Sequence, residues 1–291
     1  MKRRYLPLVI VLVVFLGFVG CLLYFHRREP TYAGRPLSEW VQGLCQPSGS
    51  GFKGAAEDAV LHIGSNAFPY LLKWLTYSRP KWKEMSYRAA NPICAQLYLS
   101  SPFNDEREEL LFCGALSAVA ILGPNASGMI PELLAVIHRS TTERPKLAAV
   151  GALARIGSGS MQLLIEMIQS SPLLIRIAAI TEIGKTGTNA AVAVPVLIEC
   201  LNKDEGTAAS AAEALGRIRL EPTIVIPALT QALRDPRDSV RLSAVAALAE
   251  FETEARTALP ELLKLREDPW LAVRMGTSNA IRIIANTSEK Q

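Results

Sequence analysis

Histidine is scarce in this chain, with three in 291 residues, at His26, His62 and His138. None has a second histidine or a cysteine at metal-ligand spacing. Zinc sites need three or four grouped ligands, so no metal and no other cofactor is expected. Aromatic residues make up only 7% of the chain, which suits helices packed closely through alanine and leucine. The five cysteines, Cys21, Cys45, Cys94, Cys113 and Cys200, include no close pair. Cys113 and Cys200 read as members of apolar helical faces, so buried free thiols are the expectation; a Cys45–Cys94 bridge stays open as an alternative that no spacing supports, permitted if the body is extracytoplasmic. Phosphate and nucleophile motifs fail too. Gly184-Lys185-Thr186 imitates the end of a phosphate loop, but Ala179 stands where the first glycine is required and a helix precedes it in place of a strand. Gly157-Ser-Gly-Ser160 follows an alanine-rich helix and lacks the strand and histidine of a nucleophile elbow.

The body of the chain also lacks an excess of charge of either sign. The net charge of +4 belongs to the N-terminus, where Lys2, Arg3, Arg4, Arg27, Arg28 and Arg35 face only Glu29. Residues 36–291 hold 25 basic and 26 acidic side chains. A phosphate-binding surface needs a broad basic footprint, so no nucleic-acid partner is expected.

What the chain does have begins with an uncharged run from Tyr5 to Phe25. Twenty-one residues at 1.5 Å each cross a hydrocarbon core of about 30 Å, whereas a cleaved signal has a shorter core and a small-residue cleavage site. The run therefore reads as a transmembrane signal anchor at 5–25, after a basic flank at 1–4. A linker at 26–36 follows, then a repeat body at 37–287 and a tail at 288–291. The three basic residues before the run favour an N-terminus in the cytoplasm and a repeat body outside it, periplasmic if the source is Gram-negative. Phe18-Val19-Gly20-Cys21 supports a rival reading, a lipoprotein box with Cys21 lipidated. Against it, Phe18 is a poor fit and the apolar run continues beyond the cysteine.

The body repeats two phrases. One is Pro-x-Leu, at Pro69, Pro131, Pro195, Pro227 and Pro260. The other is a small-residue block ending at Gly64, Gly123, Gly157, Gly184 and Gly216, with Ala249 and Arg282 in the same place in two weaker copies. The steps are 59, 34, 27, 32, 33 and 33 residues, and a period in the low thirties marks a stacked solenoid. Each unit reads as two helices. The first opens near the proline, which is tolerated where the N–H has no helical partner. The second is alanine-rich and ends at a glycine suited to a left-handed terminus. The 27-residue step implies a shortened turn, and the 59-residue step an insertion or decayed repeat near 77–105. Pro92 argues against an unbroken helix over 84–99. Asp105-Glu-Arg-Glu108 has the form of a capping box.

The copies from Ile226-Pro227 through Asp235-Pro236, Val240-Arg241 and Ala247-Leu248, and from Leu259-Pro260 through Asp268-Pro269 and Val273-Arg274, resemble HEAT repeats. The resemblance covers roughly 50–285. It implies an all-α fold, a right-handed α-α superhelical solenoid of about six to seven helix pairs, here preceded by the N-terminal transmembrane helix. It further implies an internal ladder in which Asp235 and Asp268 cap second helices and bond Arg241 and Arg274, with Arg176 a weaker member because Ser170 replaces its aspartate. Pro36-Leu-Ser-Glu-Trp40 is similar to a short element before the array in some membrane-anchored bacterial HEAT proteins. HEAT-like hydroxylases hold iron with His-Glu pairs, and no such dipeptide exists here.

One cluster interleaves aromatics and cations: Lys73, Trp74, Tyr77, Arg79, Lys81, Trp82 and Lys83, continued by Tyr87 and Arg88. It is a candidate contact for lipid headgroups or an acidic partner through cation–π contacts; the plainer reading packs the rings and solvates the lysines. The function expected is a membrane-tethered scaffold that holds another protein and catalyses nothing. An enzyme on a HEAT-like frame, such as a bilin lyase, and a nucleic-acid binder are the alternatives.

Overall fold

A computed structural model describes residues 29–45, 51–96, 105–203 and 206–286. The first of these residues form a small knot of aromatic contacts. Thr31–Tyr32 (β1) pairs antiparallel with Arg35–Pro36 (β2) around Ala33 and Gly34, both at positive φ, the conformation a two-residue hairpin needs. Part of the expected linker is therefore ordered. Helix α1 (Leu37–Gly43) follows. The Glu29 carboxylate accepts a hydrogen bond from the Ser38 N–H at 2.9 Å, the Trp40 indole donates to the Tyr32 carbonyl at 3.1 Å, and Trp40 stacks on Phe52 with centroids 5.1 Å apart.

The remaining helices are α2 (Gly51–Ile63), α3 (Phe68–Leu75), α4 (Lys81–Gln96), α5 (Glu106–Leu122), α6 (Ile130–Arg139), α7 (Glu143–Ile156), α8 (Ser158–Ser170), α9 (Leu173–Lys185), α10 (Val194–Lys203), α11 (Ala208–Ile218), α12 (Pro222–Ala232), α13 (Asp238–Glu250), α14 (Leu259–Lys264) and α15 (Leu271–Asn286). From α5 onward they alternate between two rows. Helices α5, α7, α9, α11, α13 and α15 pack side by side as one row, and α6, α8, α10, α12 and α14 cover it. One hydrophobic core runs from Leu37 to Ile284.

The turns between units are built alike. Gly123, Gly157 and Gly187 take positive φ. After Gly123 and Gly187 a 3-10 segment leads into the next proline, at Gly123–Met129 and Gly187–Ala193, as it also does at Glu252–Ala258. The next helix opens with that proline in its first turn, as with Pro131 and Pro260. The glycines of the repeated phrase thus have two roles. Gly157 and Gly187 stand 30 residues apart as turn residues, so part of the 27-residue step comes from mixing two registers; the expected shortened turn is Ser171-Pro172, the two residues between α8 and α9. Gly184 and Gly216 lie earlier, inside α9 and α11 of the alanine-rich row. A Cβ on Gly184 would sit 2.9 Å from the Ala214 Cα, and one on Gly216 would sit 2.7 Å from the Ala247 Cα. At these points neighbouring helices meet backbone to backbone.

Two local expectations also change. Helix α12 starts at Pro222, so Pro227 lies inside it; the positive φ of Arg219 and Glu221 moves the turn upstream. Helix α4 runs through Pro92. A proline removes one helical hydrogen bond, and Arg88, whose carbonyl loses it, is exposed to water.

The N-terminal membrane helix expected at 5–25 lies outside the described residues, as does Cys21. Among the described residues the stretch long and apolar enough to span a bilayer is Glu106–Arg139, in mid-chain. It comprises α5 and α6, broken by the positive-φ turn at Gly123 and packed into the solenoid, and its apolarity is that of two core helices. The fold is accordingly an all-α HEAT-like solenoid of six to seven helix pairs. The anchored architecture and the single-pass placement, with the N-terminus cytoplasmic and the body outside, do not stand.

Gly216→Ala tests the backbone contact. A methyl there must push Ala247 away, and overpacking of this kind costs about 1–3 kcal/mol, more than the roughly 0.5–1 kcal/mol a helical alanine gains over glycine. Urea unfolding should show a lower midpoint. Gly159→Ala, where a Cβ meets nothing within 4 Å, should be neutral or stabilising. Equal effects at both positions would rule out the close-packing account.

Candidate functional site

The aspartate–arginine places come together at the C-terminal end. The Arg241 guanidinium makes a bidentate contact with Asp268 of the next unit, Nε to Oδ2 at 2.8 Å and Nη2 to Oδ1 at 3.0 Å. Its Nη1 donates to the carbonyls of Asp235 and Pro236, at 2.9 and 3.0 Å. Arg274 repeats the second half, donating to the carbonyls of Asp268 and Pro269 at 2.7 and 3.0 Å. Each aspartate also accepts a backbone N–H two residues on, from Arg237 and Trp270, both at 2.9 Å. Upstream the ladder stops. Ala208 occupies the place 33 residues before Arg241, and Asp235 pairs within its own loop with Arg237 at 2.7 Å. Arg176 lines a shallow hollow with Gln169, Glu199 and Lys203. The guanidinium of Arg241 holds the Asp268 carboxyl below the ordinary carboxylate range. These groups join units and brace the loops before α13 and α15; the expected aspartate caps are instead bonds to the N–H of the residue before each helix, and α13 has no side-chain cap.

The aromatic–basic cluster is divided by the fold. Trp74 is buried in the core at 8% exposure, whereas Trp82 is 63% and Met85 is 70% exposed on α4. Lys73 and Lys81 are exposed. Arg79 and Lys83 are engaged by carboxylates at and just after the end of the insertion. Asp105 takes both, Arg79 through its Nε and Lys83 at 2.6 Å; Lys83 also reaches Glu108 at 2.8 Å and Arg79 reaches Glu84 at 3.1 Å. Hydrogen bonding to Asp105 and Glu108 raises the Lys83 pKa well above its ordinary value. Burial alone would raise the Asp105 carboxyl, but the hydrogen bonds from Lys83 and Arg79 outweigh it and hold the group low. Asp105 precedes α5 yet makes no side-chain cap to that helix, because its oxygens are committed to these cations.

That ion cluster forms one wall of a cleft of about 1190 Å³. Helix α4 stands apart from the two rows, and none of residues 81–92 is buried. The cleft opens between it and α5. Its sides carry Glu84, Asp105, Glu106 and Glu109 against Arg79 and Arg144, with Tyr87, Leu110, Cys45 and Cys113 between them. Arg144 pairs with Glu109 at 2.7 Å and lies over the Phe112 ring at 4.9 Å. Arg79 lies over the Tyr87 ring at 4.6 Å. The lining therefore carries two more carboxylates than guanidinium groups. The capping-box pattern flagged Asp105 and Glu108 for another role. The contributions of Cys45, Glu109, Cys113 and Arg144 had no local signal, because they meet only through folding. Cys113 is exposed, contrary to expectation, while Cys200 is buried.

Among the described residues no group of three or more His, Cys, Asp or Glu could hold a metal ion. His62 is exposed against the Tyr32 ring, centroids 4.7 Å apart, and the His138 Nδ1 lies 2.7 Å from its own helix's Leu134 carbonyl.

Comparison with known proteins fits this geometry. Residues 130–216 match the family model described as HEAT repeats, and residues 225–252 match the HEAT repeat model. No curated protein matches the chain significantly. Among solved structures, the karyopherin Kap121p bound to the extreme C-terminus of the protein phosphatase Cdc14p is similar at a TM-score of 0.50 and 15% identity, over 85% of this chain and 29% of that one. A designed armadillo repeat protein in complex with a (KR)4 peptide follows at 0.43 and 17%, covering 85% and 99%. Human deoxyhypusine hydroxylase is at 0.36 and 16%, covering 86% and 94%. HEAT repeats thus occupy 130–216 and 225–252, and the likeness to Kap121p is one of fold.

The ladder yields a pH-dependent prediction. The folded-state pKa of Asp268 lies below its unfolded value, so its contribution is fully present above the ordinary carboxylate range, near pH 4, and is lost as pH falls through the folded value. Asp268→Asn leaves Arg241 without its charge partner and should cost about 3 kcal/mol at pH 7. The gap to the parent protein should narrow as urea unfolding is repeated from pH 6 down to pH 3. A pH-independent gap would remove the ion pair as its cause.

Proposed function

We propose that this HEAT/armadillo-type solenoid is a non-catalytic scaffold that binds a partner protein through a cationic segment seated in the cleft between α4 and α5. The observation that carries the reading is the cleft itself. It opens where regular stacking is interrupted, has room for an extended peptide, and combines an apolar floor with an excess of carboxylates. Glu106 lies on its rim outside the ion pairs that occupy Glu84, Asp105 and Glu109. The exposed Trp82 and Met85 extend the apolar surface along α4, and aromatic side chains of that kind anchor protein interfaces. Stacked helix pairs supply long surfaces for such contacts. Kap121p, which shares the fold, was solved with the end of another protein bound.

The test uses a fluorescent Lys/Arg-rich nonapeptide and its Asp/Glu-rich counterpart, with binding followed by anisotropy. The basic peptide should bind preferentially, with affinity falling as salt rises. Glu106→Lys with Glu109→Lys should weaken binding about tenfold, equivalent to about 1.4 kcal/mol. Equal binding of the two peptides, or no loss on charge reversal, would reject the reading.

A further inference from the structure

We propose that Cys45 and Cys113 are a redox-active pair that closes to a disulfide when the protein meets a low-molecular-weight disulfide such as glutathione disulfide. Both are free thiols in the structure, and both line the same cleft. The inference does not rest on the protein-binding reading, although it concerns the same cleft wall.

The geometry begins with the crossing of α1 and α5. A Cβ on Gly114 would overlap the Val41 carbonyl, so the two backbones are in contact at that point. Cys45 lies one turn beyond Val41, with its N–H bonded to the Gln42 carbonyl at 3.2 Å, and Cys113 is the immediate neighbour of Gly114. The Cys45 thiol donates to the Leu110 carbonyl at 3.4 Å. In an α-helix that carbonyl points toward the N–H four residues on, here Gly114, so the Cys45 sulfur is fixed beside the turn that carries the Cys113 Cβ. Disulfides need Cα atoms about 4.4–6.8 Å apart, and helices in backbone contact can meet that requirement with little movement. The Cys45 thiol is pushed up by burial and, in addition, by the charge that Cys113 carries when ionised, which accords with two sulfurs in close proximity.

The thiols have different access, and this sets the order of events. Cys113 is exposed and Cys45 is half-buried. The Cys113 thiolate attacks one sulfur of glutathione disulfide, forming a mixed disulfide and releasing one glutathione thiolate. Cys45 then gives up its proton to solvent and attacks the Cys113 sulfur, breaking the mixed disulfide and releasing the second glutathione. The protein loses two electrons and two protons, and the small disulfide is reduced to two thiols. The product ties α1, and the aromatic knot around it, to the first helix of the regular row.

Full-length reduced protein is incubated with glutathione disulfide, quenched with an alkylating agent, digested without reduction and mapped by mass spectrometry. The expected product is a peptide pair linking Cys45 to Cys113, with neither cysteine alkylated nor glutathionylated, and the link should disappear after dithiothreitol. Cys45→Ser should stop at a stable glutathione adduct on Cys113. Cys113→Ser should leave Cys45 almost entirely alkylated. Amide exchange in α1 should slow in the oxidised wild type relative to the reduced form. A wild-type protein that halts at the Cys113 adduct, links either residue to Cys94 or Cys200, or leaves both thiols unreacted overturns the proposal.

Discussion

The structure depends on how closely neighbouring helices of the alanine-rich row, α5 to α15 in alternation, approach one another. Gly184 against Ala214 and Gly216 against Ala247 leave no space for a side chain. Contact at this distance explains the alanine content of α7, α11 and α13, because any larger residue on those flanks would separate the row. Helices that meet backbone to backbone also bury their small apolar side chains completely. Ala149, Ala179, Ala211, Ala212 and Ala244 are all at 0% exposure, and the scarcity of aromatic rings follows from the same constraint. The repeat length is set by the need to return each time to the same contact, so the turn glycines and the contact glycines keep separate registers within one period.

Charge plays a secondary and local part in joining units. The Arg241–Asp268 pair is buried, and general energetics make such a pair weak as a source of net stability but costly to break. Its use is positional: one guanidinium fixes the loop of its own unit through two carbonyls and the loop of the next through a carboxylate. Where Ala208 replaces the arginine, the junction between α11 and α13 rests on the small-residue contact, with a Ser243–Glu213 hydrogen bond and an Arg219–Glu252 ion pair beside it. The array therefore tolerates loss of the ladder, and the ladder residues cannot be taken as a functional signature.

Much of the architecture was legible in the sequence because a repeat states the same physical requirement several times. The alanine-rich second helices and most of the proline openings could be read directly, Pro227 being the exception, while the ladder residues were implied by the resemblance to HEAT repeats. Reading failed where a residue type serves two purposes. Glycine marks both a left-handed turn, as at Gly157, and a helix contact, as at Gly184, and spacing alone merged them. Apolar length was equally ambiguous, since the described stretch with enough of it, Glu106–Arg139, is a core helix pair. Cys113 was assigned to a buried face by its apolar neighbours, but its helix crosses α1 at Gly114 and turns the thiol outward. None of these outcomes is encoded within a turn or two of the residue concerned.

The aromatic–basic cluster shows most clearly why a linear charge count misleads. Along the sequence, Arg79, Lys81 and Lys83 face one acid, Glu84, and the segment reads as positive. In space, Asp105 and Glu108 arrive from 25 or 26 residues away and neutralise Arg79 and Lys83. On the cleft side Glu84 pairs with Arg79 and Arg88, Asp105 with Arg79 and Lys83, and Glu109 with Arg144, so the positive run is neutralised and Glu106 remains outside those pairs. A concave surface with low-dielectric walls concentrates the field of a remaining charge such as Glu106, whereas the exposed Lys81 at the start of α4 is screened by solvent over about 8–10 Å at physiological salt. The charge pattern of this region is therefore set by contacts that only the fold creates.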